Sequence, residues 1–233
     1  LVERSLRLLR HFGIQRIVLV TGYSAEDYDK LPLQWPEVEL VHNSGYADNG
    51  SMASLACALD VMGTGEDFLL LESDLFYEGR ALELLVESQA PDVILTSGPT
   101  KAGDEVWVQT RLGHLQTMSK DPQEVSDADK EFVGICRVSA VLGRAMQDAF
   151  TRSVERSGHQ RMSYETQAMV AVCTHHPIAV HLEPSLLWGE IDDASHYARV
   201  VNVLAPEVRR LEGSLRAQRQ SSDSAVGSGA QEV

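Results

Sequence analysis

The chain has 233 residues, a formal net charge of −14 and 43% hydrophobic residues, apolar material enough for one sizeable domain. So acidic a surface excludes a nucleic-acid partner, whose phosphates need a Lys- and Arg-rich face, but not a small polyanion held by backbone N–H groups, a cation or two and a bound metal. No apolar run reaches the roughly 18–20 residues that a membrane-spanning helix needs, so no membrane partner is expected.

Taken in chain order, Val2, Leu6, Leu8 and Leu9 predict a helix over residues 2–10, stopped by Gly13. The opening "LVERSLRLLRHFG" carries no signal-peptide pattern. "RIVLVTG" (16–22) predicts a β-branched strand, and "SAEDYDKL" opens with Ser24 as an N-cap and Asp27 three residues later. "VELVHN" (38–43) is a second strand and "SMASLACALDVM" (51–62) a helix begun by the Asn49-Gly50-Ser51 turn. "LLLESDLFYE" (69–78) begins as a buried strand, followed by a helix over 80–88 and the strand "DVILTSG" (92–98). Strands and helices alternating through short connections predict a Rossmann-like α/β fold, a mostly parallel sheet flanked by helices.

Beyond residue 100 the pattern changes. "EVWVQTRLGHLQTMSK" predicts an antiparallel hairpin turning at Leu112-Gly113, a small lobe beside the main sheet. "FVGICRV" (132–138) is a strand followed by a helix to about residue 155, then come a short helix in "SYETQAMVAV" and the strand "IAVHLE". A last helix, "DASHYARVVNVLAPEVRRLEG", is expected to break at Pro206. Residues 1–213 form the expected domain, and the Ser/Gly/Gln-rich residues 214–233 a disordered tail. Cys57, Cys136 and Cys173, odd in number and in apolar settings, read as buried free thiols of a reducing, cytoplasmic compartment.

Four places carry candidate chemistry. Glu72-Ser73-Asp74 puts carboxylates at the end of a dry strand, where open α/β sheets bind ligands; solvent exposure or a metal would each explain them. "WGEIDD" (188–193) is a second acid cluster between strand and helix, with Asp193 suited to cap that helix. "GYADNGSMASL" (45–55) could offer turn N–H groups to a phosphate or base, or be a capped helix and no more. Lys120, in "TMSKDP", ends a hairpin strand.

Taken together and in this order, "NGSMASLACAL", "LLLESD", "SK", "SYE" and "WGEIDD...YA" resemble the nucleotidyltransferase family that joins a nucleoside triphosphate to a phosphorylated small molecule. The resemblance runs over most of residues 1–204 and is nearest to cytidylyltransferases acting on phosphocholine or 2-aminoethylphosphonate. It implies Mg²⁺ held by Asp74 and Asp192, and nucleotide contacts from Asn49, Gly50, Ser51, Ser54 and Ser73. It also implies Lys120 on the acceptor's phosphate, and Tyr164, Glu165 and Trp188 near an amine headgroup; because an ammonium suits aromatic faces, Trp107 is expected to line that pocket as well. The implied partners are CTP and a small phosphorylated or phosphonate substrate. A sugar-phosphate nucleotidyltransferase, a metal-dependent glycosyltransferase using a nucleotide-sugar, and a non-catalytic nucleotide-binding remnant are the other readings.

The family's first strand and Gly-rich, Arg- and Lys-bearing loop have no counterpart in these residues. Weak CTP binding and little turnover are therefore expected of them alone. An unfilled position in the central sheet is expected too, with a tendency to aggregate or form a homodimer through it.

Overall fold

A computed structural model describes residues 1–63 and 65–213; the expected tail, 214–233, lies outside the described residues. The first helix, α1 (Val2–His11), buries Leu6 and Leu9, with Glu3 in its first turn and Arg10 and His11 in its last, as the helix dipole favours. Strand β1 (Ile17–Thr21) pairs in parallel with β2 (Val38–His42), and the short α2 (Leu31–Gln34) stands between them in sequence. Ser24 sits in the left-handed region without a side-chain cap, so the expected capping box gives way to a single 3₁₀ turn, Ala25–Tyr28. Helix α3 (Ser51–Met62) follows and leads to β3 (Phe68–Leu71).

The strand expected to end on the acids stops at Leu71, immediately before them, and a separate short strand, β4 (Leu75–Tyr77), resumes after them. Next come α4 (Arg80–Val86), β5 (Val93–Ser97), and the hairpin of β6 (Trp107–Arg111) and β7 (His114–Ser119). Leu112 and Gly113 both take positive φ, 52° and 79°, the two-residue turn that matches strand twist. Strand β8 (Glu131–Val138) leads into α5 (Ala140–Ser157), whose N-cap Ser139 accepts from Leu142 N.

A wide π-helical turn (Tyr164–Met169) leads into the short α6 (Val170–Val172), then β9 (Ala179–Leu182), β10 (Trp188–Glu190) and α7 (Ala194–Arg199). The expected break at Pro206 is absent. Helical backbone continues through it to residue 213, directly after a π-helical turn at Val200–Leu204. That widening relieves the clash and missing N–H that proline brings to a helix.

The main sheet has the order β3-β8-β5-β9-β7-β6. Strands β3, β5 and β9 run the same way, β5 pairing in parallel with β9, while β8 is inserted antiparallel between β3 and β5. Strand β10 pairs antiparallel with β4. Where β8 passes β5 the register shifts at Gly134, whose φ of 77° makes a bulge; a Cβ there would run into the Glu72 carboxylate.

On the other side of β3 the sheet is interrupted. Among the described residues β1 pairs only with β2, and β3 only with β8. Between them lies a cavity of about 440 Å³ lined by Leu6 and Leu9 of α1, Ile17 and Leu19 of β1, Leu55 of α3 and Leu69 of β3. All three cysteines are free thiols, Cys136 and Cys173 buried and Cys57 partly so. Among the described residues no helix is long and apolar enough to cross a membrane.

Candidate active site

The carboxyl ends of the strands meet along one edge. A chain of hydrogen bonds crosses it: Asn43, just past β2, donates to Ser54 Oγ at 3.1 Å, and one turn earlier Ser51 Oγ donates to Glu165 at 3.2 Å. Ser51 Oγ also accepts from Tyr164 N, and the Tyr164 hydroxyl donates to Glu72 at 2.7 Å, beyond the end of β3. On the far side Ile191 N donates to the Asp74 carbonyl at 3.1 Å, which brings the segment after β10 alongside the segment after β3. Asp74 and Asp192, remote in sequence, thereby reach one edge.

Carboxylates crowd this edge. Burial pushes the Glu72 carboxyl up to about 7, aided by Glu165 and Asp74 and opposed by the Tyr164 hydrogen bond and Lys120. Burial also raises Glu190 to about 8, with Glu72, Asp104, Asp74 and Asp192 adding to the effect. Asp192 is raised by burial and then by its hydrogen bond with Asp104, a loop residue. One donor atom each from Asp104, Asp192 and His196 lie within 4.8 Å of one another. His196 Nδ1 stands 3.8 Å from Asp192 Oδ2, too far for a hydrogen bond, and is buried without a partner. Asp74 Oδ1 is likewise buried and unpartnered. Like charges this close favour a cation between them, and carboxylate oxygens with one left orphaned suit a hard divalent ion. Asp104, Asp192 and His196 are the donors that come together in a way that could hold a cation, and the Asp74 carboxylate, outside that group, stands near enough to help raise Asp192.

The other predicted residues fall in different settings. Lys120, past the end of β7, is exposed yet close enough to lower the Glu72 pKa. Asn49 Nδ2 donates to Gln160 Oε1, Gly50 N to the Gln160 carbonyl and Met52 N to the Met162 carbonyl. The N–H groups of Asn49 and Gly50, read as ligand donors, are thus engaged within the protein. A Cβ at Gly50 would collide with the Met162 carbonyl, so that close approach requires glycine. Ser73 is exposed between β3 and β4 and also lines the cavity.

Tyr164 and Glu165 are buried, and Tyr164 makes an edge-to-face contact with Phe132. Trp107 is half-buried at the start of β6. Trp188 requires a correction: it is 3% exposed, packs in the core cluster with Tyr77 and Leu95, and donates its indole N–H to Ser97 Oγ at 2.7 Å. With its N–H satisfied and its ring enclosed, it has no open face for a headgroup. Asp193 does cap α7, accepting from Ser195 N and His196 N.

Sequence reasoning passed over Glu190 and His196, although both stand in or beside the quoted acid cluster, and Asp104, which lay in a loop without any pattern. Glu131 was missed as well. It is buried on β8 and accepts from both the N–H and the hydroxyl of Thr100, tethering the loop that carries Asp104; burial raises it to about 7.

Residues 1–219 match the family described as the MobA-like NTP transferase domain. Over 75 residues the chain is 33% identical to a 2-aminoethylphosphonate cytidylyltransferase of Lancefieldella rimae, a match spanning 32% of this chain and only 30% of that relative. The fold is similar to that of the CTP:phosphocholine cytidylyltransferase from Streptococcus pneumoniae (TM-score 0.70, 18% identity, 87% of this chain and 84% of that one). It is also similar to the inositol-1-phosphate CTP transferase from T. maritima (TM-score 0.68, 17% identity, 89% and 82%).

Proposed function

The chain belongs to the MobA-like NTP transferase family, and on that premise we propose that it transfers CMP from CTP to a small phosphorylated or phosphonate amine. A phosphate or phosphonate oxygen of the acceptor attacks the α-phosphorus of CTP. As that P–O bond forms, the bond to the bridging oxygen of the β-phosphate breaks and pyrophosphate leaves with the electron pair. Such transfers ask little covalent chemistry of a protein; alignment and charge neutralisation do most of it.

The observation that carries this reading is the meeting of Asp74 and Asp192 at one sheet edge, with Asp74 Oδ1 unpartnered. Bound there, Mg²⁺ would neutralise phosphate oxygens. Lys120 orients the acceptor's phosphate or phosphonate. Asn49, Gly50, Ser51, Ser54 and Ser73 border the nucleotide, and since the Asn49 and Gly50 N–H groups are already engaged within the protein, other atoms of these residues are left to do it. The amine class is favoured by the partial likeness to a 2-aminoethylphosphonate cytidylyltransferase and by two acids, the half-buried Glu72 and the buried Glu165, joined through Tyr164 and Ser51. A carboxylate pair beside aromatic rings suits an ammonium headgroup.

The test is pyrophosphate release from CTP and Mg²⁺ with 2-aminoethylphosphonate, phosphocholine or a sugar 1-phosphate. Turnover with an amine acceptor, lost by on the order of 100-fold or more in Asp74→Asn and in Asp192→Asn, is the expected result. Turnover with the sugar 1-phosphate alone would overturn the amine assignment, and full activity of either variant would remove that aspartate from the mechanism.

A further inference from the structure

Of the donors that meet at the acidic edge, Asp192 and His196 belong to one segment, with Asp193 capping the helix between them. Their separation is therefore set locally. Asp104 comes from the arch of residues 98–106 that joins β5 to β6, so something outside its own segment has to fix its place.

One residue of β8 frames that arch. Glu131 is the register partner both of Ser97, the last residue of β5, and of Trp107, the first residue of β6. A strand residue has one neighbour on each flank, so the arch leaves the sheet on one side of Glu131 and returns on the other. Phe132 N donates to the Val106 carbonyl and Val108 N to the Lys130 carbonyl, which closes the returning side. The buried Glu131 side chain reaches into the arch and takes Thr100. One carboxylate oxygen accepts from the Thr100 N–H and the other from its hydroxyl, at 2.9 Å. Thr100 Oγ1 in turn accepts from Ala102 N at 3.3 Å.

These bonds hold backbone that would not hold itself. Lys101 takes a φ of 61° without being glycine, and Gly103 follows at 103°. A residue with a side chain stays in the left-handed region only where its surroundings over-determine it. The next residue is Asp104, whose carboxyl is hydrogen-bonded to that of Asp192. Both Glu131 oxygens are committed to Thr100, so Glu131 acts on the edge through the arch and not as a ligand.

We propose that Glu131 is a positioning residue of the cation site, holding the arch by Thr100 so that Asp104 is presented to Asp192 and His196. The proposal rests on reading the acidic edge as a cation site. Outer partners of this kind govern metal affinity by about 10–100-fold.

Mn²⁺ alone, followed by the EPR signal of the free ion at pH 8, tests this without nucleotide or turnover. Its Kd should rise about 10-fold or more in Glu131→Ala and in Thr100→Val, which removes the hydroxyl. Thr100→Ser, which keeps the hydroxyl, should bring most of the affinity back. Thr100 is only half-buried, so Thr100→Val keeps the test open if Glu131→Ala does not fold. In an Asp104→Asn background Glu131→Ala should weaken Mn²⁺ no further, because its effect passes through Asp104. A lowered Tm with unchanged Kd would make Glu131 a packing residue, and equal weakening with and without the Asp104 carboxylate would mean another route. Either result overturns the inference and leaves the cation reading intact. No Mn²⁺ uptake by the unaltered protein would defeat that reading, and the inference with it.

Discussion

Two parts of the sheet are built from equally apolar strands and end up in different states. In β5 and β8 nearly every residue is buried, Ile94 and Ile135 completely. The residues of β3, Phe-Leu-Leu-Leu, are all only half-buried, as are all but the last of β1. The difference is neighbours. Strand β5 is flanked by β8 and β9, and β8 by β3 and β5, whereas β1 and β3 each border the cavity. An apolar run therefore records the neighbours a strand is made for, and burial records those it has.

Substitution should separate the two parts most sharply. Ile94→Ala, in the closed part, should cost about 2–5 kcal/mol of unfolding free energy, because a fully enclosed site cannot collapse around the void. Leu19→Ala, beside the cavity, should cost about 1 kcal/mol, since part of its surface is already unpacked. Denaturant titration measures both, and equal losses would mean that the cavity is closed in solution.

Acidity should also distinguish them. Glu72 and Glu190 on the acidic edge and Glu131 in the closed part all have folded pKa values above that of a free glutamate. Each therefore binds its proton more tightly when folded. Its contribution is fully present below about pH 4.3 and is lost as pH rises through about 7 for Glu72 and Glu131 and about 8 for Glu190. The Tm without metal should fall from pH 5.5 to pH 8, and Mg²⁺ should recover the part that belongs to the edge. Glu131→Gln should flatten the part Mg²⁺ does not recover. A Tm that rises over this interval would contradict the burial of these carboxyls.

The fold was largely legible because periodicity and turn chemistry are local. Residues 51–62 and the Leu112-Gly113 turn came straight from the sequence. The Pro206 helix did not, because proline's local veto was overridden by a preceding π-turn. Of the edge, Asp74 and Asp192 could be named through family likeness, whereas Asp104 could not: it is placed by the tether between Thr100 and Glu131, a contact 31 residues apart in sequence. Trp188 misled for a related reason, since an aromatic next to an acid cluster looks the same in sequence whether it turns to the pocket or to the core. Trp188→Phe should thus act on the closed part alone, costing about 1–3 kcal/mol for lost volume and the lost hydrogen bond to Ser97 Oγ, with the acceptor KM unchanged. A raised KM at constant stability would return the indole to the pocket.

The smallest effect is expected at the seam between the two parts. Tyr164 packs against Phe132 of β8, while its hydroxyl donates to Glu72 at the end of β3. Tyr164→Phe keeps the ring and removes only that bond, so the stability loss at pH 6 should be about 1 kcal/mol. The electrostatic consequence is more specific. The hydroxyl opposes the burial that raises Glu72, so without it the Glu72 pKa should move further above about 7. Carboxyl NMR of labelled glutamate would follow this titration directly, and the pH dependence of Mg²⁺ affinity should shift upward with it. Should stability fall while the Glu72 titration stays in place, Tyr164 would be a packing residue only, and the hydrogen-bonded chain across the edge would have no part in setting the charge of the site.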